Sequence, residues 1–258
     1  MELIAVPRLP KNSVDSRPVA ARAATPGGRT TDLPLGADVR VAAKQSAQFG
    51  AGGDFFEVFE HGDGRVSLVV ADVCGNGAAA ARVAAGVRPF LHRSLAHGES
   101  PGRVLSALNE GLVREREGLG DRFVTAVAVR VDVCTGRAEI ACAGHLGPFL
   151  RRPSGLVLAI DGAMGVPLGM VQGETYDEIT IPLEPEDALV LVTDGVTDPL
   201  GTEADPLGAD GLLRRLELIE PEAKEICEAL VPAGAPTRDD ATVLVLQLPS
   251  RDILPVAA

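Results

Sequence analysis

The chain has 258 residues, of which 46% are hydrophobic, 23% are charged and 3% are aromatic, and it contains no tryptophan. This composition is typical of a globular protein long enough for one large domain, with a core built mainly from alanine, valine and leucine. The formal net charge of −12 excludes a broadly basic surface, so neither nucleic acid nor an anionic membrane is an expected partner.

The sequence carries no recognisable signal for a membrane or for export. No stretch reaches the roughly 18 consecutive apolar residues that a bilayer requires, and the first residues lack a basic segment followed by an apolar one. The four cysteines show neither CxxC spacing nor a paired histidine, which argues against zinc and indicates reduced, buried thiols. We therefore expect a cytoplasmic protein.

Residues 1–35 are rich in proline, alanine, arginine and glycine and have no usable periodicity, which predicts a flexible N-terminal extension. A docking arm is an equal alternative for this segment. From residue 36 the pattern is typical of folded structure, beginning with a half-buried strand, ADVRVAAK. We predict one domain over residues 36–250 and a short C-terminal tail over residues 251–258.

Two β-rich runs, FFEVFE and RVSLVVAD, flank the turn His61-Gly62-Asp63-Gly64 and predict a β-hairpin. Asp54 precedes the first run and Asp72 ends the second, so both carboxylates should lie side by side at one rim of a sheet. Two carboxylates that close repel each other unless a proton or a cation lies between them. From this stretch alone, a metal site and a pair of solvated turn aspartates are both open.

An alanine-rich stretch over residues 76–97 has apolar residues at helical spacing, with Pro89 as a kink or a break. Ser100 and Pro101 then begin a second helix whose apolar face includes Leu105 and Leu112. Two consecutive helices between strands predict an α+β fold.

The remaining elements continue this mixture of short strands and helices. The sequence predicts, in order, a second hairpin around Cys134-Thr135-Gly136, short strands over residues 143–160, an edge strand in TYDEITIPL, an apolar strand that ends in Asp194, a helical region over residues 209–231 broken at Pro221, and a final apolar strand, ATVLVLQL, directly after Asp239 and Asp240.

Acidic residues therefore recur at strand ends: Asp54, Asp72, Asp194, and Asp239 with Asp240. Strands that share a core present their ends at common rims, so these carboxylates can converge. Hard divalent cations such as Mg²⁺ or Mn²⁺ offset such a cluster of negative charge with oxygen ligands. Each aspartate alone is more simply a good turn former, but that interpretation is weaker for the whole set.

Several stretches resemble the metal-dependent (PPM) serine/threonine protein phosphatases, in the branch similar to the sporulation stage II E (SpoIIE-like) phosphatases. They are, in the family's order, GGDFFEV with VADVCGNGAAAA, RFVTAV with GRAEIACAGHLGPFLRR, GVPLG, LVLVTDGVTD and RDDATVLVL. The resemblance covers about residues 37–248. A motif such as TDG is weak alone, whereas five motifs in order are specific.

The resemblance implies an α-β-β-α sandwich of two antiparallel sheets flanked by helices, with two Mn²⁺ or Mg²⁺ ions at the sheet edges. It implies that Asp72 bridges both ions with help from the backbone carbonyl of Val73, that Asp54 binds one ion, and that Asp194 and Asp239 bind the other. Three further residues are expected to border the site without binding metal directly, and they are Gly53, Gly195 and Asp240. Asp240 in particular is expected to orient Asp239 from behind.

The activity that the resemblance implies is hydrolysis of phosphoserine or phosphothreonine in a protein, by attack of a metal-bound water. The substrate class that it implies is an anti-sigma-factor antagonist or a similar bacterial signalling protein. Two alternatives stay open: a metal-dependent hydrolase of small phosphoesters, and a pseudophosphatase that serves as a binding module. The pseudophosphatase predicts loss of metal-binding aspartates, and none is lost.

The chain departs from the family's pattern just after Asp72, where Cys74 replaces a common serine and Asn76 a common histidine. Neither is an expected metal ligand, but either could change the rate or the pH profile. Glu57 stands where a shorter acid is usual. His145 matches a family motif and is expected to order a loop, whereas the other histidines lie in no motif and are expected at the surface or on helices.

Overall fold

The computed structural model describes residues 30–33, 35, 39–46, 52–115, 120–162, 164–197, 208–231 and 239–250. In these residues the chain forms two six-stranded β-sheets with helices on both outer faces. The predicted α+β sandwich is therefore confirmed.

The strands, numbered in chain order, are β1 Thr31–Leu33, β2 Arg40–Ser46, β3 Phe55–Glu60, β4 Arg65–Val73, β5 Val124–Asp132, β6 Arg137–Ala143, β7 Phe149–Arg151, β8 Val157–Ala159, β9 Met164–Gly165, β10 Ile179–Pro182, β11 Ala188–Val192 and β12 Ala241–Gln247. One sheet, sheet A, has the order β1-β2-β12-β11-β7-β8. The other, sheet B, has the order β10-β6-β5-β4-β3, and β9 pairs with β6. All pairs are antiparallel except β6 with β9, which is parallel.

The helices are α1 Gly77–Ala96, α2 Pro101–Arg114, α3 Asp194–Thr197, α4 Gly208–Glu217 and α5 Ala223–Leu230. Helices α1 and α2 cover sheet B, and α4 and α5 cover sheet A. In the described part of the chain, none of the helices combines the length and hydropathy that crossing a bilayer requires.

Alternation along the central strands explains how one chain fills three apolar layers. In β4, Val66, Leu68 and Val70 face the interior between the sheets, whereas Val69 and Ala71 face the helices. Successive side chains of a strand point to opposite faces, so a strand covered on both sides is apolar throughout. The same alternation holds in β3, β11 and β12, where it decides which polar side chains enter the interior at the strand ends.

The predicted hairpins and the two helices between them are confirmed, with four corrections of detail. Thr31–Leu33, within the predicted extension, pair with β2 as strand β1; residues 1–29 and 251–258 lie outside the described residues. Strand β11 ends at Val192, and Asp194 instead begins α3, because the chain turns there. Pro89 lies inside α1 without ending it. Cys134 is exposed rather than buried, because it lies in the turn between β5 and β6, while Cys142 and Cys227 are buried.

Candidate active site

The interior between the sheets changes from apolar to polar at one end. Along β3, β4, β11 and β12, the side chains that face the interior are phenylalanine, valine or leucine in the middle of each strand. At this end of the sheets, the next position on the same face is polar. These polar residues are, in strand order, Asp54, Asp72, Thr193 and Thr242. Since strand alternation fixes these directions, the two sheets bring polar side chains together at this edge. We call this edge the carboxylate rim.

Asp54 joins the two sheets at the carboxylate rim. It precedes β3 in sheet B and is 6% exposed. Its Oδ2 accepts hydrogen bonds from the hydroxyls of Thr193 at 2.7 Å and Thr242 at 2.8 Å, which belong to the sheet A side. Its backbone carbonyl accepts a hydrogen bond from the Gln45 amide of β2 at 2.7 Å. Neutral donors therefore hold this buried carboxylate in place.

Asp72 lies beside Asp54, as the hairpin predicts, because Phe55 pairs with Ala71 in the adjoining register. Burial, followed by the charge of Asp72, raises the pKa of Asp54 well above its ordinary value, although the two threonine hydroxyls oppose the shift. Burial, followed by the charges of Asp194 and Asp239, raises the pKa of Asp72 to about 7. Both pKa values are therefore raised by the same two causes, burial first and neighbouring negative charge second.

A cleft of about 410 Å³ opens at the rim. Asp72 from sheet B and Asp194 and Asp239 from the sheet A side all line it. Asp194 and Asp239 are solvent-exposed, whereas Asp72 is half-buried. Three of the four predicted metal ligands thus share one cleft, and the fourth, Asp54, lies directly behind Asp72.

The two adjacent aspartates before β12 have different surroundings. Asp239 lines the cleft, and its Oδ1 accepts the backbone N–H of Asp240 at 2.8 Å. Asp240 is 5% exposed, and its Oδ2 accepts the backbone N–H of Gly53 at 3.0 Å. Asp239 therefore lines the cleft while Asp240 is buried behind it, and the metal-binding role expected of Asp239 stays a prediction.

Glycines allow the backbones to approach this closely. A Cβ on Gly53 would lie 2.6 Å from the Val73 carbonyl oxygen and 3.1 Å from Asp72 Oδ1. A Cβ on Gly195 would lie 2.0 Å from the Asp240 carbonyl oxygen. Both glycines therefore leave space that the neighbouring backbone occupies.

His145 links the two sheets next to the cleft. It is 4% exposed, its Nδ1 lies 2.9 Å from Thr125 Oγ1 of β5, and its Nε2 lies 3.0 Å from the Val192 carbonyl oxygen of β11. A carbonyl only accepts, so Nε2 carries the proton and Nδ1 accepts from the threonine hydroxyl. Burial lowers the pKa of His145 to about 4, so the ring is neutral at neutral pH.

The chemistry of these groups fits divalent cations. The donors are carboxylates and the Val73 carbonyl, which are the hard oxygen ligands of Mg²⁺ and Mn²⁺. Burial first, and neighbouring carboxylates second, raise the pKa values of Asp54 and Asp72, and a bound cation would offset both effects by stabilising the ionised forms. In the described residues no three His, Cys, Asp or Glu side chains already converge as a closed metal site, so the ligand set stays a prediction.

Comparison with known proteins identifies the family. The model of the family described as Stage II sporulation protein E (SpoIIE) matches residues 62–249. The chain belongs to this family. Among curated relatives, the phosphoserine phosphatase RsbP of Bacillus subtilis (strain 168) is 24% identical over 163 residues, which are 62% of this chain and 40% of RsbP. The chain thus corresponds to less than half of that relative's length.

Solved structures share the fold. The PP2C phosphatase domain of SpoIIE from Bacillus subtilis matches with a TM-score of 0.70 and 19% identity, over 81% of this chain and 63% of that one. RsbX in complex with magnesium matches with a TM-score of 0.65 and 19% identity, over 85% of this chain and 100% of that one. The PPM phosphatases to which these proteins belong are metal-dependent.

Several features of the site have no local signature in the sequence. Thr193, Thr242 and Thr125 reach their partners only through the packing of the two sheets, and strand alternation is the one signal that places them on the inner face. His61 was expected at the surface and is instead 6% exposed, bonded to Ser67. His61 lies just after β3, at the end of the hairpin opposite Asp54, and packs against Phe59 on the helix-covered face of sheet B.

The residues that depart from the family's pattern occupy different positions. Cys74 lines the cleft, and its backbone N–H donates to the Phe123 carbonyl at 3.0 Å. Asn76 is exposed at the N-terminus of α1 and makes no side-chain capping bond. Glu57 is buried under α1, where it accepts a hydrogen bond from Arg88 at 2.8 Å. Only Cys74 is therefore placed to affect chemistry in the cleft directly.

Proposed function

We propose that this chain is a Mn²⁺- or Mg²⁺-dependent protein phosphatase that hydrolyses phosphoserine or phosphothreonine. The observation that carries the proposal is the cleft at which Asp72 of one sheet meets Asp194 and Asp239 of the other. Membership of the SpoIIE family and the similarity to a phosphoserine phosphatase support the reaction type.

Two cations are proposed to bind at the carboxylate rim. Asp72 and the Val73 carbonyl would hold both ions, Asp54 one of them, and Asp194 with Asp239 the other. When bound, such cations lower the pKa of water and offset the charge of phosphoryl oxygens, which is the chemistry that this hydrolysis needs. The reaction forms a bond from water oxygen to phosphorus, breaks the bond from phosphorus to the serine oxygen, and returns a proton to that oxygen.

The chain's own residues fix the geometry for this reaction. Thr193 and Thr242 occupy one oxygen of Asp54, so its other oxygen is directed to the shared space with Asp72. The Gly53 amide holds Asp240, whose backbone in turn orients Asp239. These bonds reduce the freedom of groups that must bind metal, which is a general requirement of a preorganised site.

A phosphorylated protein, such as an anti-sigma-factor antagonist or a related bacterial signalling protein, is the proposed substrate, and the cytoplasm is the proposed location. The function named for RsbP supports a phosphoserine substrate. A hydrolase of small phosphoesters is the alternative, because the same cleft admits a small ester. A pseudophosphatase is disfavoured, since all four proposed metal-binding aspartates are retained.

Release of phosphate with and without Mn²⁺ tests the proposal, with p-nitrophenyl phosphate and a phosphoserine protein as substrates. We expect Mn²⁺-dependent activity on both, and a loss on the order of 1000-fold in Asp72→Asn, because the proposed bridging ligand is removed. Asp63→Asn is the matched control, since it makes the same chemical change in the exposed turn at the other end of the same hairpin. Its activity should stay within twofold of the parent protein.

Three results would count against this function in different ways. Absence of activity on both substrates contradicts an enzyme. Full activity in Asp72→Asn contradicts the site. Activity on the small ester but not on the protein favours the small-phosphoester hydrolase.

A further inference from the structure

The charged side chains that line the cleft are negative, and so is a phosphorylated substrate. Among the described residues, the lining of the cleft includes three aspartates and no lysine or arginine. A phosphoserine group carries roughly −1.5 to −2 charges and three acceptor oxygens. Cations at the rim would meet part of that charge, and a protein donor near the cleft would meet another part.

Arg122 is a basic residue next to the wall of this cleft. It directly precedes Phe123, which lines the cleft and whose carbonyl accepts the backbone N–H of Cys74 at 3.0 Å. A Cβ added to Gly75, another lining residue, would lie 3.7 Å from Arg122 Nε and meet no other atom within 4 Å. The guanidinium group therefore lies against the loop that follows Asp72.

The Nε atom of Arg122 lies there without an acceptor. It is buried and makes no hydrogen bond to any described residue, and no described carboxylate forms an ion pair with Arg122. Other partly buried arginines have such partners, as Arg88 has Glu57 and Arg130 has Glu139. A buried donor without an acceptor is costly, so it points to a partner that arrives with the substrate.

Gly75 leaves room for that partner. It has a φ of 101°, a backbone conformation that favours glycine, and the lack of a side chain leaves open the space that lies 3.7 Å from Arg122 Nε. The planar guanidinium fork matches two phosphoryl oxygens, and such charge-assisted bonds are stronger than neutral ones.

We propose that Arg122 binds the phosphoryl group of the substrate and of the released phosphate. This inference rests on the proposed phosphatase function, because it assigns the residue a role in recognising that enzyme's substrate. Arg122 would then determine affinity for the phosphoryl group, whereas the rim carboxylates determine the rate.

Three variants test the role: Arg122→Gln, Arg122→Lys and, as a control, Arg103→Gln. Arg103 is matched in charge, is 77% exposed on α2 and pairs only with nearby Glu99. The measurements are inhibition of p-nitrophenyl phosphate hydrolysis by inorganic phosphate, the KM and kcat of that hydrolysis, and calorimetric binding of inorganic phosphate to the Mg²⁺-loaded protein.

We expect Arg122→Gln to weaken inhibition and binding by inorganic phosphate roughly tenfold and to raise KM with a smaller change in kcat, because one charge-assisted contact is lost. Arg122→Lys keeps the charge without the fork and should give intermediate values. Arg103→Gln should stay within twofold of the parent protein. Thermal melting shows whether each variant is folded, and Arg122→Lys keeps the test usable if Arg122→Gln is not.

The inference is overturned if folded Arg122 variants bind inorganic phosphate within twofold of the parent protein. It is also overturned if only the phosphoprotein is affected, since the contact would then be to protein groups of the substrate. Its failure is separable from failure of the proposed function. A parent protein that hydrolyses nothing but binds phosphate through Arg122 supports this inference alone, whereas an active protein insensitive to Arg122 supports the function alone.

Discussion

The carboxylate rim and the outer face of sheet A both contain a buried charged side chain, but the two side chains have different kinds of partner. At the outer face, Lys44 of β2 is completely buried and forms an ion pair at 2.5 Å with Glu228 of α5. At the rim, Asp54 is equally inaccessible, yet its partners are two hydroxyls and no described lysine or arginine shifts its pKa. The buried charge at the outer face is thus paired with an opposite charge, whereas the buried carboxylate at the rim accepts hydrogen bonds from two neutral hydroxyls.

This difference separates a structural ion pair from a prepared binding site. An ion pair at the rim would lower the pKa values of the carboxylates and compete with any cation for their oxygens. Neutral donors orient a carboxylate without neutralising it, so its charge stays available to a ligand. Burial combined with missing counter-charge is therefore the feature that distinguishes a functional carboxylate here.

Substitution of Gly53 by alanine should cause a large loss of activity at the rim and should also lower the stability of the protein. In Gly53→Ala the new methyl group would meet the Val73 carbonyl and Asp72, so we expect activity to fall by about 100-fold or more and stability by roughly 2 kcal/mol. Gly111→Ala is the matched control inside α2, where nothing lies within 4 Å of the added carbon. It should leave activity unchanged and stabilise the helix by roughly 0.5–1 kcal/mol.

Phosphate release and urea denaturation measure both effects. Equal behaviour of the two alanine variants would contradict the close approach of Gly53 to Val73.

The free energy of unfolding should fall in acid because His145, which joins the two sheets beside the rim, is neutral in the folded protein. The pKa of His145 is lowered from 6.5 to about 4, so the unfolded chain binds the extra proton first as pH falls. Its contribution to stability is complete above pH 6.5 and is lost as pH falls through 4, a loss of about 3 kcal/mol.

Urea denaturation of the parent protein and His145→Gln at several pH values isolates this effect. The rim carboxylates, whose raised pKa values act with the opposite sign, are present in both proteins and cancel in the difference. A constant difference between the two proteins from pH 7 to pH 4 would show that His145 does not titrate as a buried neutral ring.

Breaking the ion pair between Lys44 and Glu228 should reduce stability without affecting activity. Glu228→Gln leaves Lys44 buried without its anion, and we expect a loss of roughly 2 kcal/mol, below the value for fully buried pairs because Glu228 is 43% exposed. Lys44 and the Thr30 hydroxyl lower the pKa of Glu228 from 4.5, so the loss should be constant above pH 4.5 and should disappear in stronger acid.

Denaturation midpoints measured across this pH range provide the check. Phosphatase activity at neutral pH should be unchanged in Glu228→Gln, which sharpens the contrast with the rim. A large loss of activity in a folded variant would mean that the two regions are not independent.

Local pattern was enough to predict the layers and the hairpin that carries Asp54 and Asp72. The turn at residues 61–64 and the runs on each side fix the register, and the register places the two carboxylates together. The meeting of Asp194 and Asp239 with Asp72 in one cleft followed from the family resemblance as much as from strand ends. Helix and strand bounds were accurate where alternation or periodicity was strong.

The supporting contacts could not be predicted, because they depend on how two sheets face each other. Thr193 and Thr242 are distant in sequence from Asp54, and each is an ordinary strand residue when considered alone. His145 was expected to order a loop, and the partners that hold it in the loop between β6 and β7, Thr125 of β5 and the Val192 carbonyl of β11, could not be named from the sequence. Contacts of this kind need the relative position of the layers, which a single sequence does not specify.

Asp54 precedes a strand of sheet B, and its carboxylate is bonded to two hydroxyls on the sheet A side. The geometry of the site therefore depends on the relative position of the two sheets. Sliding of one sheet past the other would separate Asp54 from Thr193 and Thr242 and would widen the distance from Asp72 to Asp194. By thermodynamic reciprocity, a ligand that binds these carboxylates together must resist such sliding, and a protein that holds the layers in register must raise affinity for that ligand. A partner could then regulate the proposed activity without contacting the cleft.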